Sequence, residues 1–270
     1  MSIGFVDTGY GRDHPHPDLK SKVRGEYDFV EEDRVAQDFG YHGTAVVGVA
    51  AAETDNGEGV ASAGFGAGFF MAKGCAKRCL SSDTAPALDW LVDQGVRVSN
   101  LSFAVTQEPP GDPVLGAAVQ RAQQAGALVI AAVGNDGEST DRFYPAAYPG
   151  VLGVAATDEN NAPASLSNSG PMVDVAAPGV GIISTYNPDS PENTTKALYA
   201  RFPGGTSFAA PHVAGVAALL SAKNPDLTAE RIATRIQNRA TDRGKPGRDD
   251  EYGAGLLNAR CTVAPVLEQC

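Results

Sequence analysis

This sequence predicts an α/β fold: a doubly wound, mostly parallel central sheet with helices on both faces. Three observations point there. Short, apolar, often β-branched runs alternate with longer stretches of helical periodicity, the pattern of strands covered on both faces. The chain holds 31 glycines and 18 prolines in 270 residues, which suits many tight turns between elements. Its chemically capable polar residues fall just after strands or at helix starts, where open parallel sheets build their sites.

Ile3 to Val6 is the first strand, and Asp7 ends it. The prolines of HPHP, at His14 to Pro17, hold an extended surface turn; a metal pair there lacks a third ligand. Glu31, Glu32 and Asp33 form a solvated acidic turn. His42 opens a helix that runs to Ala52. Phe69 to Ala72 is the next strand, followed by a helix from Thr84 to Gln94 in which Trp90, spaced with Ala87, Leu91 and Gln94, belongs to the core. Val96 to Val98 is a strand, Pro113 to Ala125 a helix, and Leu128 to Val133 a strand with Asn135 just beyond it. Leu152 to Ala155 and Val173 to Ala176 complete the sheet. Ser207 opens a helix to Ala222, behind Gly204 and Gly205 and with Pro211 in its first turn, where proline costs least. His212, in that apolar helix, is a core histidine with a satisfied hydrogen bond. The helix Thr228 to Asn238 precedes a charged surface loop, Thr241 to Glu251, and a last short strand. A single domain over residues 1–270 accounts for this length.

Hydrophobic residues make up 43% of the chain, enough for a sizeable core. The formal charge of −11 argues against nucleic acid or an anionic membrane as partner, since both call for basic patches. No run of about 18 apolar residues could span a bilayer. The start MSIGFVDTG enters a strand without the basic and apolar regions of a signal peptide, so the protein is cytosolic or this is an excised mature part. Cys75 with Cys79 and Cys261 with Cys270 are spaced for two local disulfides in an oxidising compartment, free thiols being the alternative. Neither pair has the second pair that zinc would need.

Asp7, His42 and Ser207 come in the order acid, base, nucleophile, each within its own short run: IGFVDTG, YHGTAVVG and PGGTSFAAPHVAGVAAL. A serine hydroxyl needs an imidazole to take its proton, and the imidazole needs a buried carboxylate to fix its tautomer. A fourth run, VIAAVGNDG, lies between base and nucleophile and carries Asn135. At a helix start, Ser207 sits where the positive helix end favours developing negative charge.

These four runs resemble the subtilisin-like serine proteases, with HPHPDL, SNLSFA, YPAAYP and APGVGIIST as further similar segments in the same order. The resemblance spans nearly the whole chain, and GTSFAAPHVAG is its most specific part. It implies a serine endopeptidase working through an acyl-enzyme. Ser207 is then the nucleophile, His42 the general base and Asp7 the group that orients it. Asn135, with the Ser207 backbone N–H, forms the oxyanion hole. The substrate is an extended peptide or protein segment pairing with the edge Ser102, Phe103 and Ala104. Ala132, Val133, Gly134 and Phe143 wall the pocket for the side chain before the scissile bond.

Several residues depart from the best-known members. Phe143 stands where the pocket floor often has a small residue, which predicts a preference for small side chains before the cleaved bond. Ala104 replaces a glycine on the binding edge, Phe208 a methionine after the nucleophile, and Ala45 a histidine after the base. No metal or cofactor is required by this chemistry. Asp18 and the loop Asp55 to Val60 resemble parts of a structural calcium site, whose further ligand comes in relatives from a segment ahead of the aspartate strand. The expected protein is a monomer, secreted or extracellular with a cytoplasmic place as the alternative, and the resemblance adds a propeptide that relatives often need to fold. Two competing readings are a noncatalytic binding module on this fold and a maturation protease restricted to one partner protein.

Overall fold

The computed structural model describes residues 1–139 and 141–265. Its elements run β1 (Ser2–Asp7), β2 (Val23–Asp28), α1 (His42–Ala51), β3 (Gly68–Lys73), α2 (Ser81–Asp93), β4 (Val98–Leu101), β5 (Val105–Thr106), α3 (Pro113–Gln124) and β6 (Leu128–Ala132). They continue with β7 (Phe143–Tyr144), β8 (Leu152–Thr157), β9 (Val175–Pro178), β10 (Val180–Thr185), β11 (Tyr199–Gly204), α4 (Thr206–Lys223), α5 (Ala229–Asn238) and α6 (Ala259–Val263). Seven strands form one parallel sheet in the order β2-β3-β1-β4-β6-β8-β9. The pairs β10–β11 and β5–β7 are antiparallel and stand beside it.

Alternation along the strands builds a core on each face of the sheet. In β1, Ile3 and Phe5 point into the cluster that contains α1 and α4, while Val6 joins the cluster of α2 and α3. β6 does the same, with Leu128, Ile130 and Ala132 on one side and Val129 and Ala131 on the other. Burying a side chain such as Phe5 in full contributes about 1.5–3 kcal/mol before entropy is counted. Helix α4 is apolar on every side and buried along most of its length, against β4, β6, β8, β9 and α1. Gly215 permits that depth: a β-carbon there would collide with the backbone of Ala63 and Gly64.

The chain reverses direction across the sheet at β1, whose neighbours are β3 on one side and β4 on the other. Such a switch point leaves a crevice at the strands' carboxyl ends. Asp7 is the residue at that end of β1, in register with Lys73 of β3 and, through it, Asp28 of β2. Lys73 Nζ and an Asp28 carboxylate oxygen form a buried ion pair at 2.7 Å.

Several expectations need correction. β2 was absent from the sequence reading, because VRGEYD is polar and forms the sheet edge. The strand expected at Val96 to Val98 begins at Val98 and runs to Leu101, through Ser99 and Asn100, both fully buried. The one expected at Val173 to Ala176 is Val175–Pro178. The helix expected from Thr84 starts at Ser81, with Asp83 in its first turn and Pro86 inside it. HPHP is not wholly a surface turn: His16 is fully buried, its Nε2 2.6 Å from the Leu198 carbonyl oxygen. After the exposed 241–251 loop comes helix α6 rather than a strand, Leu256 making only isolated bridges to Thr241 and Ala176. Cys75 and Cys79 are joined as a disulfide. The second expected pair involves Cys270, which lies outside the described residues.

Candidate active site

Asp7 is 2% exposed, and its Oδ1 lies 2.7 Å from His42 Nδ1. The same oxygen accepts the Thr8 N–H at 2.8 Å. His42 is the first residue of α1, so its ring projects from the helix start into the crevice, with 35% of the side chain exposed. Gly43 makes this approach possible, since a β-carbon there would overlap the Gly9 carbonyl oxygen. Helix α1 is pinned further by Ser184 Oγ and Thr185 Oγ1, which donate to the carbonyls of Ala45 and Thr44, each at 2.7 Å.

Burial of the His42 ring disfavours its charged form, but the charge and hydrogen bond of Asp7, with a smaller contribution from Asp38, prevail. The ring's pKa is therefore raised above the ordinary 6.5. Asp38 is a residue the sequence reading missed. It is fully buried and accepts from Thr8 Oγ1, the Gly40 N–H, the Thr44 N–H and Thr44 Oγ1. Thr8 Oγ1 in turn accepts the Gly43 N–H at 2.9 Å, so Asp38 ties the end of β1 to the start of α1. Burial pushes the Asp38 carboxyl above its usual range, against the hydrogen bonds from Thr44.

Ser207 lies in the first turn of α4 and is 8% exposed. Its Oγ donates to the Ser102 carbonyl at 2.9 Å, so the hydroxyl points along the Ser102 edge in this state. The reverse bond also exists: Ser102 Oγ donates to the Ser207 carbonyl at 2.8 Å. Pro211 explains it. Proline has no N–H, so it leaves the carbonyl four residues earlier, that of Ser207, without its helical partner. Pro211 thus sits in the second turn, where its cost is offset by Ser102, and not in the first turn as expected.

Asn135 is aimed by Thr206. Its Oδ1 accepts both the Thr206 N–H at 2.8 Å and Thr206 Oγ1 at 2.9 Å, and Thr206 Oγ1 accepts the Gly134 N–H at 3.1 Å. With its oxygen doubly engaged, the exposed side chain presents its amide nitrogen outward, near Gly205 and the Phe208 ring. Asn168 fixes the loop itself, its Oδ1 accepting the N–H groups of Asp136 and Glu138 and its Nδ2 donating to the Val133 carbonyl. Neither Thr206 nor Asn168 was singled out from sequence, although a hydroxyl directly before the serine in GGTS was a readable signal.

Ser102, Phe103 and Ala104 follow β4 and lead into β5, which pairs with β7 at Phe143 and Tyr144. Ala132 ends β6, Val133 is fully buried, and Gly134 has φ +100°. A β-carbon at Gly134 would lie 3.1 Å from the Phe143 ring and 3.3 Å from Ala104 Cβ, so these residues converge. Phe143 is 2% exposed, its ring packed into that corner. Next to the His42 ring, Tyr41, Phe202 and Phe208 form a stack with centroids 5.4 Å and 5.0 Å apart, Phe208 lying 6.3 Å from His42. Ala45 is packed in the same group, the space a larger side chain would need. His212 Nδ1 is 2.8 Å from the Phe208 carbonyl oxygen, and burial lowers its pKa.

Asp18 and the 55–60 loop do not fit calcium. Asp18 is fully buried, but its Oδ1 accepts Asn56 Nδ2 at 2.7 Å and its Oδ2 accepts the Val60 N–H at 3.0 Å. Calcium takes six to eight oxygen ligands, and a carboxylate closed by N–H donors offers a hydrogen-bonded loop instead. Among the described residues no cluster of three His, Cys, Asp or Glu side chains could hold a metal ion. No helix among them is long and apolar enough to cross a membrane.

The family model described as Peptidase_S8, subtilase family, matches residues 1–255. Subtilisin BL of Lederbergia lenta is 39% identical over 265 residues, covering 97% of this chain and 90% of its own. Thermitase of Thermoactinomyces vulgaris is 39% identical over 259 residues, covering 93% of this chain and 87% of its own. Among solved structures, a protease of Pseudoalteromonas arctica PAMC 21717 superposes with a TM-score of 0.86 at 29% identity, covering 97% of this chain and 89% of that one.

Proposed function

The chain belongs to the subtilase family and is a subtilisin-like serine endopeptidase, and from that premise we propose that Asp7, His42, Ser207 and Asn135 carry its chemistry. The observation that supports this reading most is the Asp7–His42 hydrogen bond at 2.7 Å, set at the sheet's switch point beside the start of α4. Family membership makes peptides or proteins the substrate; subtilases in general need no cofactor for the reaction.

Ser207 Oγ exchanges the Ser102 carbonyl for His42 Nε2, a rearrangement that substrate binding commonly completes. It then attacks the peptide carbonyl carbon while His42 takes its proton. Asp7 Oδ1 holds the Nδ1–H throughout and stabilises the imidazolium. The oxyanion is met by Asn135 Nδ2, turned outward by Thr206, and by the Ser207 N–H at the positive end of α4. His42 next protonates the leaving amine, and the acyl-enzyme is released when water repeats the sequence with His42 as base. The peptide lies along Ser102, Phe103 and Ala104, with its leading side chain against Ala132, Val133, Gly134 and Phe143.

The buried Phe143 ring supports a preference for small side chains before the scissile bond, and with it a second reading in which the enzyme processes one partner protein. Secretion belongs to the same proposal, supported by the Cys75–Cys79 disulfide, which suits an oxidising compartment. A fluorophosphonate should label the protein and fail to label Ser207→Ala. Mass spectrometry of a mixed peptide library incubated with each should show cleavage by the first alone, mostly after small residues. A folded sample that takes no label would sink the catalytic assignment in favour of a binding module.

A further inference from the structure

A cavity of about 570 Å³ opens beside His42 and Thr8, with Phe39, Cys75 and Lys77 among its walls. The wall that Cys75 and Lys77 supply is a short turn directly after β3, and it is rooted at the catalytic acid. The N–H groups of Gly74 and Cys75 both donate to the Asp7 carbonyl oxygen at 3.1 Å. Cys75 is 2% exposed, but Ala76, Lys77 and Arg78 are exposed, and Cys79 is half-buried. The turn is shaped by the Cys75–Cys79 disulfide and by an antiparallel backbone bridge between the same two residues, which includes the bond from Ala76 N–H to the Arg78 carbonyl at 3.2 Å. Beyond it, Leu80 precedes α2, which is anchored separately through Ala87, Leu88 and Leu91.

The crosslink therefore adds a covalent tie across the exposed part of the cavity wall, which is otherwise held by one backbone bridge. We infer that the Cys75–Cys79 disulfide is a redox-dependent determinant of extended-substrate binding, holding Ala76 and Lys77 as one wall of the cavity beside His42. The inference rests on the endopeptidase reading above. When the bond is opened the wall relaxes and a peptide chain reaching into the cavity is held less tightly. The Asp7–His42 pair stays in place, because the β1–β3 pairing and the Gly74 and Cys75 bonds to Asp7 do not pass through the crosslink.

The opening reaction needs a dithiol. One of its thiolates attacks the sulfur of Cys79, the more exposed partner, and Cys75 leaves as thiolate. The dithiol's second thiolate then attacks the mixed disulfide and expels Cys79. Two electrons pass from the dithiol, which ends as a cyclic disulfide, and both cysteine thiolates take up protons.

The test compares the full chain before and after dithiothreitol, with the two-hydrogen mass gain on the Cys75–Cys79 peptide confirming reduction. Two substrates are used: a single-residue ester that cannot reach the cavity, and an internally quenched octapeptide that spans the site on both sides. Reduction should raise KM for the octapeptide by about threefold to tenfold, the scale of ordering lost from a side chain or two, and leave its kcat and ester hydrolysis unchanged. Cys79→Ser should show the raised KM without any treatment and no response to dithiothreitol. An unchanged octapeptide KM after confirmed reduction would overturn the inference. So would a parallel fall in ester hydrolysis, which means collapse of the site, or a Cys79→Ser protein that still responds, which means another sulfur. Failure of the endopeptidase reading looks different, since the oxidised protein would then turn over neither substrate.

Discussion

Ser102 holds the start of α4 by replacing the amide hydrogen that Pro211 lacks, and this can be tested with a thermodynamic cycle. Ser102→Ala removes the donor to the Ser207 carbonyl and the acceptor for Asn100 Nδ2, which reaches Ser102 Oγ at 2.9 Å. Both sites are buried, Ser102 at 1% and Asn100 at 0% exposure. Leaving a buried polar group unpaired costs about 1–3 kcal/mol, so the substitution should cost roughly 2–4 kcal/mol. For a chain of this length that is a fall in Tm of roughly 5–15 °C. Pro211→Ala supplies an N–H that can reach back to the Ser207 carbonyl in the ordinary helical way. In that background Ser102→Ala should cost about 1 kcal/mol less, or roughly 2–4 °C. The assay is thermal unfolding by far-UV circular dichroism on the four proteins of the cycle, all carrying Ser207→Ala to stop self-digestion; that change leaves the backbone carbonyl in place. An equal Tm cost in both backgrounds would refute the idea that Ser102 compensates for the proline.

If Asn135 is the proposed oxyanion donor, Asn135→Ala should lower kcat by about 10²–10³ with little change in KM, the cost of losing one such donor; steady-state kinetics on a peptide anilide reads both terms. Because the His42 pKa is raised and the base must be neutral to act, kcat/KM should climb as pH rises through a value above 6.5, and Asp7→Asn should move that limb downward; a pH–rate profile decides. The pair's contribution to stability runs the opposite way, full below 6.5 and lost as pH passes the raised value. Phe143→Gly should open the corner beside Gly134 and shift the ratio of kcat/KM toward Phe, Tyr and Leu before the cleaved bond, read by competition between peptides. EDTA should leave Tm unchanged, because N–H donors close the Asp18 carboxylate, whereas Asp18→Ala should lower Tm by orphaning the Val60 N–H and Asn56.

What could be read from sequence divides along a physical line. β1 and β6 were legible because GFV and LVIAA are apolar on both faces, as a central parallel strand must be. β4 was misplaced because Ser99 and Asn100 are polar yet fully buried, a choice dictated by neighbours distant in sequence. Asp7, His42, Ser207 and Asn135 stand out because the proposed catalysis demands particular residue types, and their glycine-rich surroundings mark sharp turns. The groups that aim them do not. Asp38 works by bridging Thr8 to Thr44, and Ser102 by meeting a carbonyl that a proline on another element had orphaned; neither role exists until the chain has folded. Gly43 lies between the two cases. Its place beside His42 was visible, but only the fold gives the reason: any side chain there would press on the Gly9 carbonyl and push the base away from its acid. The glycine in that motif is thus a contact distance between β1 and α1 written as a residue type.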